Sequence, residues 1–183
     1  MDADRELLRR AARGDRDAFD RLVRPHWPRL YALARRQLRS PDDAADALQE
    51  TLLRAWQALP RFRGEAQLST WLHRICLNAV HDQRVRTTAR QAAPLDDVPE
   101  AVDRRDRFAE AELASELTSA LDELEEDYRV AIVLCDLCGC SYAEAADVLG
   151  VPEGTIKSRI FRGRRALAQR LGTLSTDEQS KSR

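Results

Sequence analysis

Glycine and proline are scarce in this chain, seven of each among 183 residues, which disfavours sheets joined by tight turns and leaves helices as its material. Long apolar runs are missing too. No window approaches the roughly 18 apolar residues that a membrane helix requires. The amino terminus, MDADRELLRRAARGDRDAF, has no stretch of signal-peptide length, so the chain is expected to stay in the cytoplasm. In that compartment its four cysteines are expected to be reduced thiols rather than a disulfide framework. His26, His73 and His81 have neither metal-ligand nor triad spacing, no glycine loop is built to cradle a phosphate, and the carboxylates are scattered over helix surfaces. These absences argue against an enzyme and against a bound cofactor or metal. There is no internal repeat and no low-complexity tract.

Alanine, leucine, arginine and glutamate dominate what is present, and a hydrophobic fraction of 43% suffices for real cores, so the expected class is all-α. The net charge of −1 conceals a division along the chain. Residues 1–90 hold 18 arginines against 12 carboxylates, residues 91–130 hold 4 against 13, and residues 131–183 hold 8 basic side chains against 6 acidic ones. Basic ends flanking an acidic middle suit two separate DNA-facing surfaces, although a solvated acidic helix face accounts equally well for the middle alone.

Helix signals divide the chain into two small helical domains joined by a flexible linker. The first, residues 1–88, begins with a short helix from Leu7 to Arg13 and a longer one from Asp17 to Leu38, bent by Pro25 and Pro28. A third starts at Ser40, a good N-cap followed by Pro41 in the first helical position, with Asp42 and Asp43 at the positive end of the dipole. Ala44, Leu48, Leu52, Ala55 and Leu59 are its apolar stripe, which leaves Asp42, Asp46, Gln49, Glu50, Leu53 and Arg54 on other faces. After the loop RFRGEAQLS, a helix from Thr70 to Arg86 buries Trp71, Leu72, Ile75, Leu77, Ala79 and Val80. Residues 89–105, with Pro94, Pro99 and several aspartates, read as an acidic flexible linker. The second domain spans 106–173, includes a helix from Glu125 to Leu137, and leaves 174–183 as a disordered tail.

Within the second domain Ser141 and Glu144 fit a capping box at the head of a short helix carrying Ala145, Ala146 and Leu149. Gly150 supplies the turn, and Pro152, Glu153 and Gly154 start the next helix. The pattern is a helix-turn-helix. On the second helix Ile156, Ile160, Gly163 and Leu167 share one face, so Lys157, Ser158, Phe161, Arg162 and Arg165 fall on the opposite one, which is read as free of carboxylates. Cations for phosphates and guanine edges, a hydroxyl, and an aromatic ring for thymine methyls suit a DNA major groove.

DDAADALQETLLRAW, FRGEAQLSTWLHRICLNAVHDQRVR and SYAEAADVLGVPEGTIKSRIFRGRRAL, in that order, resemble the extracytoplasmic-function group of bacterial sigma-70-type sigma factors, two-domain promoter-specificity subunits of RNA polymerase. The likeness extends over residues 15–171. It implies a region 2 bundle followed by a region 4 helix-turn-helix. Asp42, Asp46, Gln49, Glu50 and Arg54 are then expected to dock on the clamp helices of the largest subunit of core RNA polymerase, with further contact at the flap region. The resemblance assigns the loop from Phe62 to Ser69 to capture of a flipped base of the single-stranded minus-10 element, and the next helix to that strand. The expected contacts are Phe62, Arg63, Gly64, Gln67, Ser69, Thr70, Arg74, Asn78, Asp82 and Arg86, with Asp82 alternatively orienting Arg74 or Arg86. Double-stranded minus-35 DNA is assigned to Thr155, Lys157, Ser158, Arg159, Phe161, Arg162 and Arg165, with Thr155 and Arg159 as phosphate contacts. An anti-sigma factor is expected as a regulatory partner, and the free chain is expected to be a monomer.

Trp56 and Trp71 offer stacking platforms but are read as core. Cys135, Cys138 and Cys140 have chelating spacing, yet no fourth ligand is near in sequence, and Cys76 and Cys135 fall on apolar helix faces, so packing is the preferred reading. The competing function is a stand-alone helix-turn-helix repressor or response regulator. It would require a sensing or dimerising first domain, in place of the polar docking helix found here.

Overall fold

The computed structural model describes residues 2–64, 66–92 and 117–181, with side chains described over 5–64, 66–90 and 117–172. The expected linker from 93 onward, the start of the second domain up to 116, and residues 182–183 lie outside the described residues. Among the described residues there is no strand, in accord with the all-α expectation.

Helix α1 spans Asp2–Ala12 and α2 spans Arg16–Val23, where the Asp15 carboxylate caps the first turn by accepting from the Ala18 amide at 3.0 Å. The single helix expected from Asp17 to Leu38 is divided. A 3₁₀ turn at Arg24–His26 separates α2 from α3 (Trp27–Gln37), because Pro25 and Pro28 have no amides to continue the ladder. Helix α4 (Pro41–Ala58) starts as expected, with Ser40 Oγ accepting from the amides of Asp42 at 3.2 Å and Asp43 at 3.3 Å. Its buried side is Ala44, Ala47, Thr51 and Ala55, while Leu48 and Leu52, expected in the core stripe, are only partly covered. Small residues face inward where α4 packs between α3 and α5, and the Thr51 hydroxyl satisfies itself on the Ala47 carbonyl at 2.6 Å.

A 3₁₀ turn, Leu59–Arg61, leads toward α5, which spans Leu68–Ala92 and overruns both ends of the expected helix. No glycine or proline lies in that span to interrupt it, so the helix continues past the end of its apolar stripe and into the start of the expected linker. In the second domain, helical turns over 117–122 precede α6 (Glu126–Ile132). Helix α6 passes into a π turn, Val133–Leu137, closed by the Cys138 amide on the Val133 carbonyl at 2.9 Å. Helix α7 spans Tyr142–Leu149 and α8 spans Glu153–Lys181, so residues 174–181, expected to be disordered, continue the helix beyond the last glycine at 172.

Both expected domains are present, and their described parts are packed on each other. One contiguous buried cluster includes Leu30 and Leu33 of α3, Leu72 and Cys76 of α5, Val133 and Leu134 of the π turn, Ala145 and Ala146 of α7, and Ile156 of α8. Polar bonds reinforce the seam. Arg36 Nη1 donates to Thr118 Oγ1 at 2.6 Å, Arg84 pairs with Glu126 while donating to the Gln37 carbonyl of its own domain at 3.0 Å, and the Cys138 thiol donates to the Arg29 carbonyl at 3.6 Å. A smaller cluster of Ala120, Leu121, Leu124, Ile132 and Leu167 seats α8 on α6. Close approach there depends on Gly163, where a Cβ would lie 2.6 Å from Ile132 Cδ1 and 3.1 Å from Tyr128 Cβ. Among the described residues no helix is long and apolar enough to cross a membrane.

Candidate nucleic-acid interface

The helix-turn-helix forms through the signals expected of it. Glu144 donates its amide to Ser141 Oγ at 3.2 Å, and the Ser141 amide returns a bond to Glu144 Oε2 at 2.7 Å, which completes the capping box. Gly150 ends α7 with φ of 66°, the left-handed backbone that lets the chain turn sharply into α8. The inward face of α8, Ile156, Ile160, Gly163 and Leu167, is buried. That burial fixes the outward face: Lys157, Ser158, Phe161, Arg162 and Arg165 are exposed, with the Phe161 ring 68% accessible.

Three details of this face differ from the sequence expectation. It is not free of carboxylates, because Glu153 sits one turn before Lys157, pairs with it at 2.8 Å and raises the lysine's pKa, chiefly by that hydrogen bond. Arg159 turns inward to pair with Asp127 of α6, its side chain only 19% exposed, so it anchors α8 rather than reaching for a phosphate. Thr155 is half-buried, and its carbonyl accepts from Ser158 Oγ at 2.9 Å, which leaves the serine oxygen available as an acceptor. A second anchor, Arg164 to Asp136 at 2.6 and 3.1 Å, went unread because the partners lie on different helices.

On α4 the exposed positions Asp42, Asp46, Gln49, Leu53 and Gln57 form one continuous strip along the helix. Leu53 was not among the expected docking residues, yet it stands half-exposed in the middle of them. Glu50 and Arg54 leave that strip. Arg54 bridges Glu50 at 2.7 Å and Asp82 of α5 at 2.7 Å, and the two carboxylates, Asp82 foremost, raise its pKa. Asp82 is therefore brought to Arg54, not to Arg74 or Arg86, and the triad ties α4 to α5.

In the loop between those helices, Arg63, Gly64 and Gln67 are exposed, and Gly64 takes φ of +71°. Phe62 folds back onto Trp71, ring centroids 4.9 Å apart, so both rings are half-buried beneath the loop. Ser69 is half-buried and Thr70 is buried at 3% exposure, which takes Thr70 out of any open base pocket. Trp56 packs edge-on against Phe19 at 5.2 Å, in keeping with its reading as core. Along α5, Asn78 and Arg86 are exposed, Arg86 lying 3.5 Å from Gln83 Oε1. Arg74 is drawn across to α7, where it bonds the Asp147 carboxylate at 3.0 Å and the Asp147 carbonyl. Between them runs an open groove of about 660 Å³, lined by Arg74, Asn78 and the turn from Ala146 to Pro152.

The cysteines sit as packing groups. Burial pushes Cys76 and Cys138 up to about 12 and Cys135 and Cys140 up to about 11, so none is a thiolate at neutral pH. Among the described residues no group of three or more His, Cys, Asp or Glu is arranged to hold a metal ion. His73, also buried at the seam, lies 3.5 Å from Cys140 Sγ and is lowered to about 4 by burial first and then by His26 and Arg29, so it is neutral at pH 7.

Two family models match the chain. Residues 22–91 match the family Sigma-70 region 2, and residues 114–167 match Sigma-70, region 4. The chain is similar to the ECF RNA polymerase sigma factor SigM of Mycobacterium tuberculosis, 45% identical over 95% of this chain and 87% of that protein. Its fold is similar to that of CnrH solved in complex with the cytosolic domain of CnrY, with a TM-score of 0.73 and 34% identity over 93% of this chain and 98% of that one. It is similar as well to the sigma factor RpoE solved with the anti-sigma factor NepR from Bartonella quintana, with a TM-score of 0.69 and 28% identity over 84% of this chain and 96% of that one.

Proposed function

The chain belongs to the ECF RNA polymerase sigma factors, and from that premise we propose how its surfaces divide the work of promoter-specific transcription initiation. The strip Asp42, Asp46, Gln49 and Leu53 on α4 docks on the clamp helices of core RNA polymerase. The leucine contributes apolar contact, and the polar groups set orientation. Lys157, Ser158, Phe161, Arg162 and Arg165 of α8 read duplex DNA at minus-35 through the major groove. Arg63, Gly64 and Gln67 of the loop, with Arg74, Asn78 and Arg86 of α5, take the unpaired strand at minus-10.

One observation carries this reading. Two different helices of one chain expose two chemically distinct strips, a carboxylate and amide strip without DNA-binding cations on α4 and a cationic, aromatic strip on α8. A repressor needs only the second. Glu50, Arg54, Asp82, Thr70 and Arg159 act in this scheme as the frame that holds those strips in place, through the bonds and burial they already have. The chain contributes binding chemistry, in the cytoplasm where the polymerase acts. An anti-sigma factor belongs to the same proposal, since similar chains have been solved with protein partners.

Size-exclusion chromatography with core RNA polymerase tests the division. The wild-type chain is expected to co-elute with the polymerase, and the Asp46→Arg, Gln49→Arg double variant to elute alone while keeping its melting temperature. A wild-type chain that fails to bind core polymerase, yet shifts duplex DNA unaided at nanomolar concentration, would hand the function to the repressor reading.

A further inference from the structure

Beyond the sigma-factor reading and independent of it, we propose that the junction of α3, α5 and α6 is a site for a single purine nucleotide. Its base enters a cavity between the helices, and its phosphates meet an arginine cluster at the cavity's edge. The cavity holds about 190 Å³ and opens to solvent. Leu77 and Val80 of α5, Val130 of α6 and Leu149 of α7 give it apolar walls, and Gln37, Arg84 and Glu126 line it as well. An apolar cavity of roughly 150 Å³ accepts a benzene ring, so this one has room for one base and no more. Pockets of this make-up, apolar with a few polar groups, are where small ligands are held.

The cluster is short of negative charge. Arg36 donates to Thr118 Oγ1 at 2.6 Å and Arg129 to the Asp122 carbonyl at 2.9 Å, both neutral acceptors. Arg39 is exposed, with no side-chain bond among the described residues. Arg84 alone pairs with a carboxylate, that of Glu126. Burial first, and then the charges of Arg84 and Arg39, lower the Arg129 pKa in spite of Asp122 and Glu126. Two buried nitrogens without a hydrogen-bond partner, Gln37 Nε2 and Arg129 Nε, belong to this same junction, and both are donors. Gln37 is only 7% exposed, and its Oε1 already faces Arg84 Nη2 at 3.5 Å. Donors short of an acceptor, set among four guanidinium groups, suit an oxyanion, and arginine grips phosphate through two parallel bonds. A nucleic-acid strand does not suit the same place. Glu126 and Asp127 both line the cavity and repel a run of phosphates, whereas a single nucleotide carries its charge at the arginine end alone.

Isothermal titration of the full chain, without polymerase or DNA, tests the site with ATP, GTP, adenosine and inorganic pyrophosphate as probes. At least one of the two nucleotides is expected to bind, about tenfold or more tighter than pyrophosphate or adenosine, because each of those fills only half of the site. Arg39→Gln, at an exposed position where folding is not at risk, is expected to weaken nucleotide binding about three- to tenfold. Glu126→Gln, which removes the carboxylate that competes for Arg84, is expected to tighten it about threefold. Arg21→Gln, on the exposed side of α2, removes the same charge elsewhere and is expected to change nothing. Melting temperatures of the variants confirm that each is folded. Three results would overturn the site: neither nucleotide binding at millimolar concentration, pyrophosphate binding as tightly as the nucleotides, or equal losses in Arg39→Gln and Arg21→Gln. The first leaves the orphaned donors to solvent, the second removes the base from the cavity, and the third reduces binding to net charge. Each is read without polymerase, so a failure here is distinct from a failure of the sigma-factor reading.

Discussion

Helices α5 and α8 both carry DNA-facing candidates along one side, yet they hold them differently. Helix α8 presents Lys157, Ser158, Phe161, Arg162 and Arg165 to solvent, and Arg162 and Arg165 make no ion pair among the described residues. Helix α5 has Arg74 engaged by Asp147 and Asp82 engaged by Arg54. On the proposed division of the surfaces, the difference follows from the targets. A duplex is read by a rigid surface that exists before binding, so α8 is bolted down from behind by Arg159, Arg164 and Gly163 and left exposed in front, with Lys157 alone paired there, to Glu153. A single strand is flexible and can settle on side chains that exchange their partners as it binds.

The contrast can be broken most strongly from behind α8. Ile156 is fully buried where α8 meets both the shared core and α7, so Ile156→Ala is expected to cost about 3–5 kcal/mol, read as a fall in the urea midpoint, and to abolish minus-35 binding by unseating the helix. Acid attacks the other side of the contrast. His73 titrates near 4 in the folded chain against an ordinary 6.5, so the folded state binds fewer protons than the unfolded one between those values. The stability it contributes is fully present above about pH 6.5 and is lost as the pH falls toward 4, about 3 kcal/mol in all. Urea midpoints at pH 7.5 and 4.5 are expected to differ by more in the wild type than in His73→Gln.

Arg162→Ala is expected to weaken promoter duplex binding by about 1–3 kcal/mol in a mobility-shift assay while the melting temperature holds. Ser141→Ala, which removes the α7 cap, is expected to cost about 1 kcal/mol of stability by urea titration and to weaken the helix-turn-helix.

Much of this was legible in residues whose signals are local. Ser40 and Ser141 caps, the Gly150 turn and the wheel of α8 depend on neighbours within a turn or two, and each formed as expected. What escaped the sequence depends on contacts between elements. The inward turn of Arg159 requires Asp127, the loss of Glu50 and Arg54 from the α4 strip requires Asp82, and the capture of Arg74 requires Asp147, 73 residues away. The resemblance puts Phe62 and Thr70 among the minus-10 contacts, but the packing of Phe62 on Trp71 and the burial of Thr70 are tertiary facts. Pro25 and Pro28 were recognisable as a disturbance, and only the backbone reveals a 3₁₀ turn that divides two helices.

Run-off transcription with core RNA polymerase, on fragments of the source genome and with or without this chain, decides whether the α4 strip and the α8 face together direct initiation. Discrete transcripts are expected that appear only when the chain is added, disappear with Asp46→Arg and Gln49→Arg, and weaken with Arg162→Ala. Transcripts that are unchanged by the α4 substitutions, or no transcript from any fragment while the chain alone retains duplex binding, would contradict it.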